Sequence, residues 1–146
     1  MDRPSAAGFT VTELAAVLAI MAVGASALAP TARRLADRAA VVAARETIVR
    51  SLVRARARAM ASGGATVTVA TSPPTVRIEA DGGVVHSSAV APEGEVTISL
   101  VGGRDSTTFR FDRLGIGRFA SGTIVARRGD ARATLVVSSY GRIRRR

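Results

Sequence analysis

From Phe9 to Pro30 the chain reads FTVTELAAVLAIMAVGASALAP, 22 residues in which Glu13 is the single charge. As a helix this run measures about 33 Å, enough to cross a hydrocarbon core of about 30 Å. Three readings compete: an uncleaved membrane anchor, a secretory signal removed at Ala25-Ser26-Ala27, and a short polar leader followed by a helix that stays attached. A secretory signal places basic residues ahead of its apolar core, whereas here an acid stands at the mouth of the run. A carboxylate in hydrocarbon costs about 2.5–3.5 kcal/mol on insertion scales and therefore demands a partner. Glu13 has no such partner evident in the sequence. Arg33, Arg34 and Arg38 follow the run directly, and by the positive-inside count they would orient the span opposite to what a leader at residues 1–8 requires.

The remaining residues leave room for one modest domain, since the whole chain has 146. Hydrophobic residues make up 47% of it but aromatic residues only 3%, so the core is expected to be built of Ala and Val and to be lightly packed. With no cysteine, a disulfide framework and thiolate metal sites are excluded. All 21 basic residues are arginine and the net charge is +10. That balance suits an anionic partner, nucleic acid or a lipid surface, and by itself says nothing about fold.

Between Thr31 and Ser62 neither Pro nor Gly interrupts, and Leu35, Val42, Val49, Leu52, Val53 and Met60 recur near helical spacing. An amphipathic helix is predicted, with Arg38, Arg45, Arg50, Arg54, Arg56 and Arg58 on its other faces. Gly63-Gly64 closes it as a C-cap, and one face packs on a sheet. Pro30 marks a place for a kink, because a proline inside a helix removes a backbone hydrogen bond. After Gly64 the pattern turns to short β-branched runs at 65–71, 75–79, 83–88, 95–100, 107–111, 122–127 and 131–138, which read as antiparallel strands. Asp81-Gly82 and Gly129-Asp130 fit two-residue hairpin turns, where a positive φ suits glycine. The predicted class is α+β: a long N-terminal helix whose second half covers an antiparallel β-rich domain.

Gly8-Phe9-Thr10-Val11-Thr12-Glu13-Leu14 resembles the signal of type IV prepilins, a polar leader ending in Gly, then Phe, with Glu five positions after the Gly. With SLVRARARAMASGG in the helix, FRFDRLGIGRF mid-chain and RATLVVSSYGRIRRR at the end, the chain is similar to the GspH/FimT family of minor pilins and pseudopilins. The resemblance implies cleavage between Gly8 and Phe9 by a prepilin peptidase, methylation of Phe9, and retention of the helix in the bacterial inner membrane with the rest of the chain outside the cytoplasm. It implies that Glu13 meets the N-terminal amine of a neighbouring subunit, so that a buried charge sets the register of assembly. The partners expected are other pilin or pseudopilin subunits, the peptidase and inner-membrane lipid. The organisation expected is a leader at 1–8, a membrane and filament-core helix at 9–30, its amphipathic half at 31–62 and a β-rich domain with a basic tail at 63–146. Many members of the family carry a C-terminal disulfide, which this chain cannot form.

Catalytic chemistry finds little footing. His86, the one histidine, is expected at the surface of a strand, and no second titratable group has a recognisable spacing to it. Gly115 and Gly117 lack the strand-to-helix context of a phosphate loop and read as turn glycines. Arg128-Gly129-Asp130 suits a hairpin tip better than an adhesion motif. No enzyme activity, cofactor or metal site is expected. The sharper signal is the tail, Tyr140-Gly141-Arg142-Ile143-Arg144-Arg145-Arg146. Guanidinium groups bind phosphate oxygens bidentately, and alternate strand residues share a face, so Arg142 and Arg144 would present together with Tyr140. Contacts of this kind give salt-sensitive, sequence-independent affinity for nucleic acid. Gly141-Arg142-Ile143-Arg144 resembles the Gly-Arg-x-Arg tail by which FimT-type minor pilins bind DNA during uptake. The alternative function is therefore double-stranded DNA binding through Arg142, Arg144, Arg145 and Arg146; the first remains a structural subunit of a type II secretion pseudopilus or type IV pilus.

Overall fold

In a computed structural model of the chain, residues 9–118 and 121–146 are described. One helix, α1 (Val11–Ser62), precedes nine strands: β1 (Gly64–Thr71), β2 (Pro74–Ala80), β3 (Gly83–Ala89), β4 (Thr97–Leu100), β5 (Ser106–Asp112), β6 (Gly117–Arg118), β7 (Gly122–Arg128), β8 (Ala131–Val137) and β9 (Ile143–Arg145). The chain divides into two compact units between Leu35 and Ala36.

In the first unit every described side chain from Phe9 to Leu35 is exposed. The helix is long and apolar enough to cross a membrane, and it runs through Pro30 without a break. Proline has no N–H to offer the Ser26 carbonyl one turn back, and the Ser26 hydroxyl spends its own proton on the Val23 carbonyl at 2.7 Å.

The second unit holds a single contiguous core. Its helical part is a stripe of Val41, Ala44, Ile48, Leu52, Ala55 and Ala59, each at most 1% exposed, spaced three or four residues apart. Of the six large apolar residues that the sequence pattern picks out, only Val49 and Leu52 are buried; Val42, Val53 and Met60 are exposed, as is Leu35 in the first unit. Small residues carry half of the stripe, which lets a helix lie close to a sheet, and a pattern read from bulky side chains alone overlooks them. The helix ends as its cap residues dictate. Gly63 takes φ +89° and its N–H bonds the Ala59 carbonyl at 2.9 Å.

The strands form two antiparallel sheets, one ordered β3-β2-β1-β5-β6 and the other β4-β7-β8-β9. Alternate residues of each turn into the core: Val67 and Val69 on β1, Phe109 and Phe111 on β5, Ile98 and Leu100 on β4, Ala133, Leu135 and Val137 on β8. Seven strands match the predicted runs to within a few residues. The two-residue β6 and three-residue β9 were not isolated by pattern, being too short to show a period. Asp81 (φ 56°) and Gly82 (φ 78°) turn the β2–β3 hairpin with two positive φ angles, and Gly129 (φ 52°) turns β7–β8 with a glycine in the first loop position.

Candidate functional site

Two separate regions carry the residues singled out by the sequence, one in each unit. At the start of α1, Phe9 is 86% exposed, and Gly8 lies outside the described residues. Glu13 is not unpartnered, contrary to expectation. Its Oε2 accepts the Thr10 N–H at 2.9 Å and the Thr10 hydroxyl at 3.0 Å, while the Glu13 N–H donates to the Thr10 Oγ1 at 3.2 Å. This is a reciprocal capping box, in which an N-cap Thr and a Glu three residues on satisfy each other's backbone donors. The Thr-x-x-Glu spacing was the sequence signal for it. The box gives Glu13 a local role, satisfying backbone donors at the first turn of α1.

The second region is the C-terminal tail. The chain reaches β9 through Gly141, which takes φ +77°. A side chain there would meet Phe111 Cε1 at 3.0 Å, and one on Gly117 would meet the Gly141 nitrogen at 2.6 Å. The Gly117 N–H also donates to the Tyr140 carbonyl at 3.3 Å, joining the edges of the two sheets. Gly117 is thus a strand residue kept small by close backbone approach, and only Gly115 (φ 69°) is a turn glycine. The loop between β5 and β6 is built on Asp112, whose Oδ1 accepts the N–H groups of Leu114 (2.9 Å) and Ile116 (3.0 Å) and whose Oδ2 accepts Arg118 Nε (3.0 Å). The Ile116 amide first, with Arg118 and Leu114 adding, holds the Asp112 carboxyl below its ordinary value against the opposing effect of burial.

Pairing with β8 fixes the faces of the tail. Arg145 stands opposite Leu135, Arg144 opposite Val136 and Ile143 opposite Val137. Leu135 and Val137 point into the core, so Ile143 and Arg145 turn inward and Arg144 outward. Arg145 is consequently not part of a free cationic tip. Its Nε lies 3.0 Å from Oε1 of Glu46 on α1, and its Nη2 donates to Oε2 at 3.3 Å. Arg45 contacts the same carboxylate at 3.1 Å and reaches the Arg146 carbonyl at 3.5 Å. Hydrogen bonding from Arg145 keeps the Glu46 carboxyl below its usual range, against the opposing effect of burial. Glu46 therefore latches the tail to the helix, a role with no local signature because its partner lies 99 residues away.

Arg142, Arg144 and Arg146 are exposed, and among the described residues no carboxylate lies within ion-pair distance of them. Arg142 is held through its backbone, its N–H donating to Ser138 Oγ at 3.1 Å and its carbonyl accepting the Ser138 N–H at 2.9 Å. Tyr140 is 79% exposed beside a 500 Å³ groove lined by Ile116, Gly117, Arg118 and Ser139. Two other sequence candidates are absorbed by structure. His86 sits half-buried on β3, opposite Ile78, with Arg54 Nη1 of α1 3.4 Å from its ring nitrogens. Arg128 is clamped between Asp37 (2.8 Å) and Glu95, so the Arg-Gly-Asp tip does not present a free arginine.

No family model matches the chain, and no curated protein matches it in sequence. Among solved structures, the fold is similar to that in the crystal structure of the type IV minor pilin FimU of Pseudomonas aeruginosa. The TM-score is 0.57 at 16% sequence identity, over 73% of this chain and 87% of that one. The fold is pilin-like, a long N-terminal helix followed by antiparallel β-sheets.

Proposed function

We propose that the protein is a minor subunit of a type IV filament, a pilus or a type II secretion pseudopilus. In this reading a prepilin peptidase cuts the precursor between Gly8 and Phe9 and Phe9 is methylated. Residues 9–30 hold the chain in the bacterial inner membrane, the β-rich region stands outside the cytoplasm, and the subunit then joins other pilin subunits. GspH/FimT membership is the finer assignment that the quoted motifs favour. The observation that carries the reading is an uncovered apolar helix on a pilin-like chain: its described side chains from Phe9 to Pro30 are all exposed, so they need lipid before assembly and neighbouring helices after it. Glu13 fits as the registry charge, exchanging its Thr10 bonds for the amine of the next subunit. Intact-mass analysis of the membrane fraction tests processing. A chain beginning at a singly methylated Phe9 is expected; cleavage after Ala27, or none, would remove the filament assignment.

The three outward tail arginines favour a second reading, capture of double-stranded DNA at the filament surface through Arg142, Arg144 and Arg146, with Arg145 holding the tail in place. Anisotropy titration of labelled duplex with the full chain in neutral detergent, at two salt concentrations, should show affinity that weakens with salt. It should largely vanish in an Arg142→Gln/Arg144→Gln variant. Tail-independent binding would leave a filament subunit only.

A further inference from the structure

The outer face of the second sheet continues the charge of the tail. Strand register puts Arg127 of β7 directly opposite Arg132 of β8, and both are exposed. They point away from the core, being the neighbours of the inward Ala126 and Ala133. Along the same face of β8 follow Thr134, whose backbone exchanges both hydrogen bonds with Arg146 (2.8 and 2.9 Å), then Val136 opposite Arg144, then Ser138 bonded to Arg142. Five arginines thus border one face, spread over the six residue steps from Arg132 to Ser138, about 20 Å at 3.4 Å per step.

Nothing on this face neutralises them. The four strands contain no Asp or Glu, and among the described residues none of the five arginines has a carboxylate within ion-pair distance. Asp130, at the hairpin tip beside them, pairs with neither Arg127 nor Arg132. On the other sheet two arginines have acids at hand, Arg77 with Glu79 at 4.0 Å and Arg118, which stands opposite Arg110, with Asp112 at 3.0 Å. Like charges directly opposite across a ladder destabilise a sheet, so the Arg127–Arg132 pair costs the fold unless an anion covers it. Between the arginines lie hydroxyls, Thr97, Ser99, Thr123 and Thr134, which can also donate to phosphate oxygens. The apolar side chains of this face, Val125 and Val136, are buried and half-buried and do not stand out to insert into a lipid surface.

We propose that the outer face of β7, β8 and β9 is a phosphate-backbone track for nucleic acid, in which Arg127 and Arg132 extend the tail site across the sheet. The inference rests on the DNA-capture reading and enlarges its footprint from a tip to a linear surface of about six base-pair steps at 3.4 Å each. Each phosphate neutralised contributes about −0.9 to the slope of log affinity against log salt. Five contacts predict a slope near about −4.5, and three tail contacts alone about −2.7.

The test titrates a labelled 20-base-pair duplex with the full chain in neutral detergent over a series of salt concentrations. Wild type is compared with Arg127→Gln/Arg132→Gln, with Arg142→Gln/Arg144→Gln, and with Arg132→Gln alone in case the first double variant folds poorly. A sheet variant whose slope falls by about two, and a single variant whose slope falls by about one, are expected. A sheet variant with wild-type slope and affinity overturns the track while leaving the tail reading in place. No binding by wild type, or binding to vesicles of anionic lipid but not to duplex, overturns both.

Discussion

Gly141 adopts φ +77°, where an L side chain is strained, and a Cβ there would press on Phe111. Gly117 faces it with no room for a methyl group against the Gly141 backbone, which cannot swing aside as a side-chain tip could. Gly117→Ala is expected to destabilise by about 1–3 kcal/mol and Gly141→Ala by about 1–2 kcal/mol. Gly83→Ala, which meets nothing within 4 Å, should stay within about 0.5 kcal/mol, all read from urea unfolding. The carboxylates give a pH signature at the same scale. Glu46 and Asp112 are held below their ordinary values in the folded chain. Their stabilisation is therefore fully present above the unfolded values of about 4.3 and 3.9 and is lost as the pH falls through the depressed folded ones. Thermal midpoints should be level near neutrality and drop below about pH 4. Glu46→Gln and Asp112→Asn should each lower the neutral plateau and flatten that drop. An unchanged acid limb in the double variant would show that neither latch matters. The arginine-rich tail was legible residue by residue, whereas the Thr-x-x-Glu spacing stood in the sequence while Glu13 was taken to lack a partner. Glu46 with Arg145, and Gly117 with Gly141, were not legible, because each pair meets only through the fold.

At the scale of elements, α1 shows how composition misleads. Its buried stripe relies on Ala44, Ala55 and Ala59, all at most 1% exposed, while Val53 and Met60 face out. Leu52→Ala should cost about 2–5 kcal/mol by leaving a cavity. Ala55→Leu should cost about 1–3 kcal/mol by overpacking. Val53→Ala and Met60→Ala should change stability by less than about 0.5 kcal/mol. Denaturant midpoints with unchanged slopes would confirm this order, and a large loss at Val53 would contradict the assignment of the stripe. The strands were readable where period-two alternation ran for four residues or more, as in Thr107–Phe111 and Ala131–Val137. β6 and β9 exist because neighbouring ladders offer them partners, and three residues carry too little pattern to announce that.

For the whole molecule, all core residues lie from Val41 onward, so residues 31–146 should fold in water with a cooperative thermal transition. The full chain should partition into membrane or detergent, as fractionation of both forms would show. Aggregation of the shorter chain without such a transition would mean that its stability depends on the apolar half or on assembly. The sequence by itself determined the apolar run, the glycine cap that ends α1, the strand-rich remainder and the surplus of arginine, since each follows from local spacing or from composition. Tertiary structure alone decided which arginines are spent on carboxylates and which remain open. Ion pairing depends on register and on contacts between distant segments: Glu46 takes Arg145, Asp37 and Glu95 take Arg128, and Arg127, Arg132, Arg142, Arg144 and Arg146 are left facing outward.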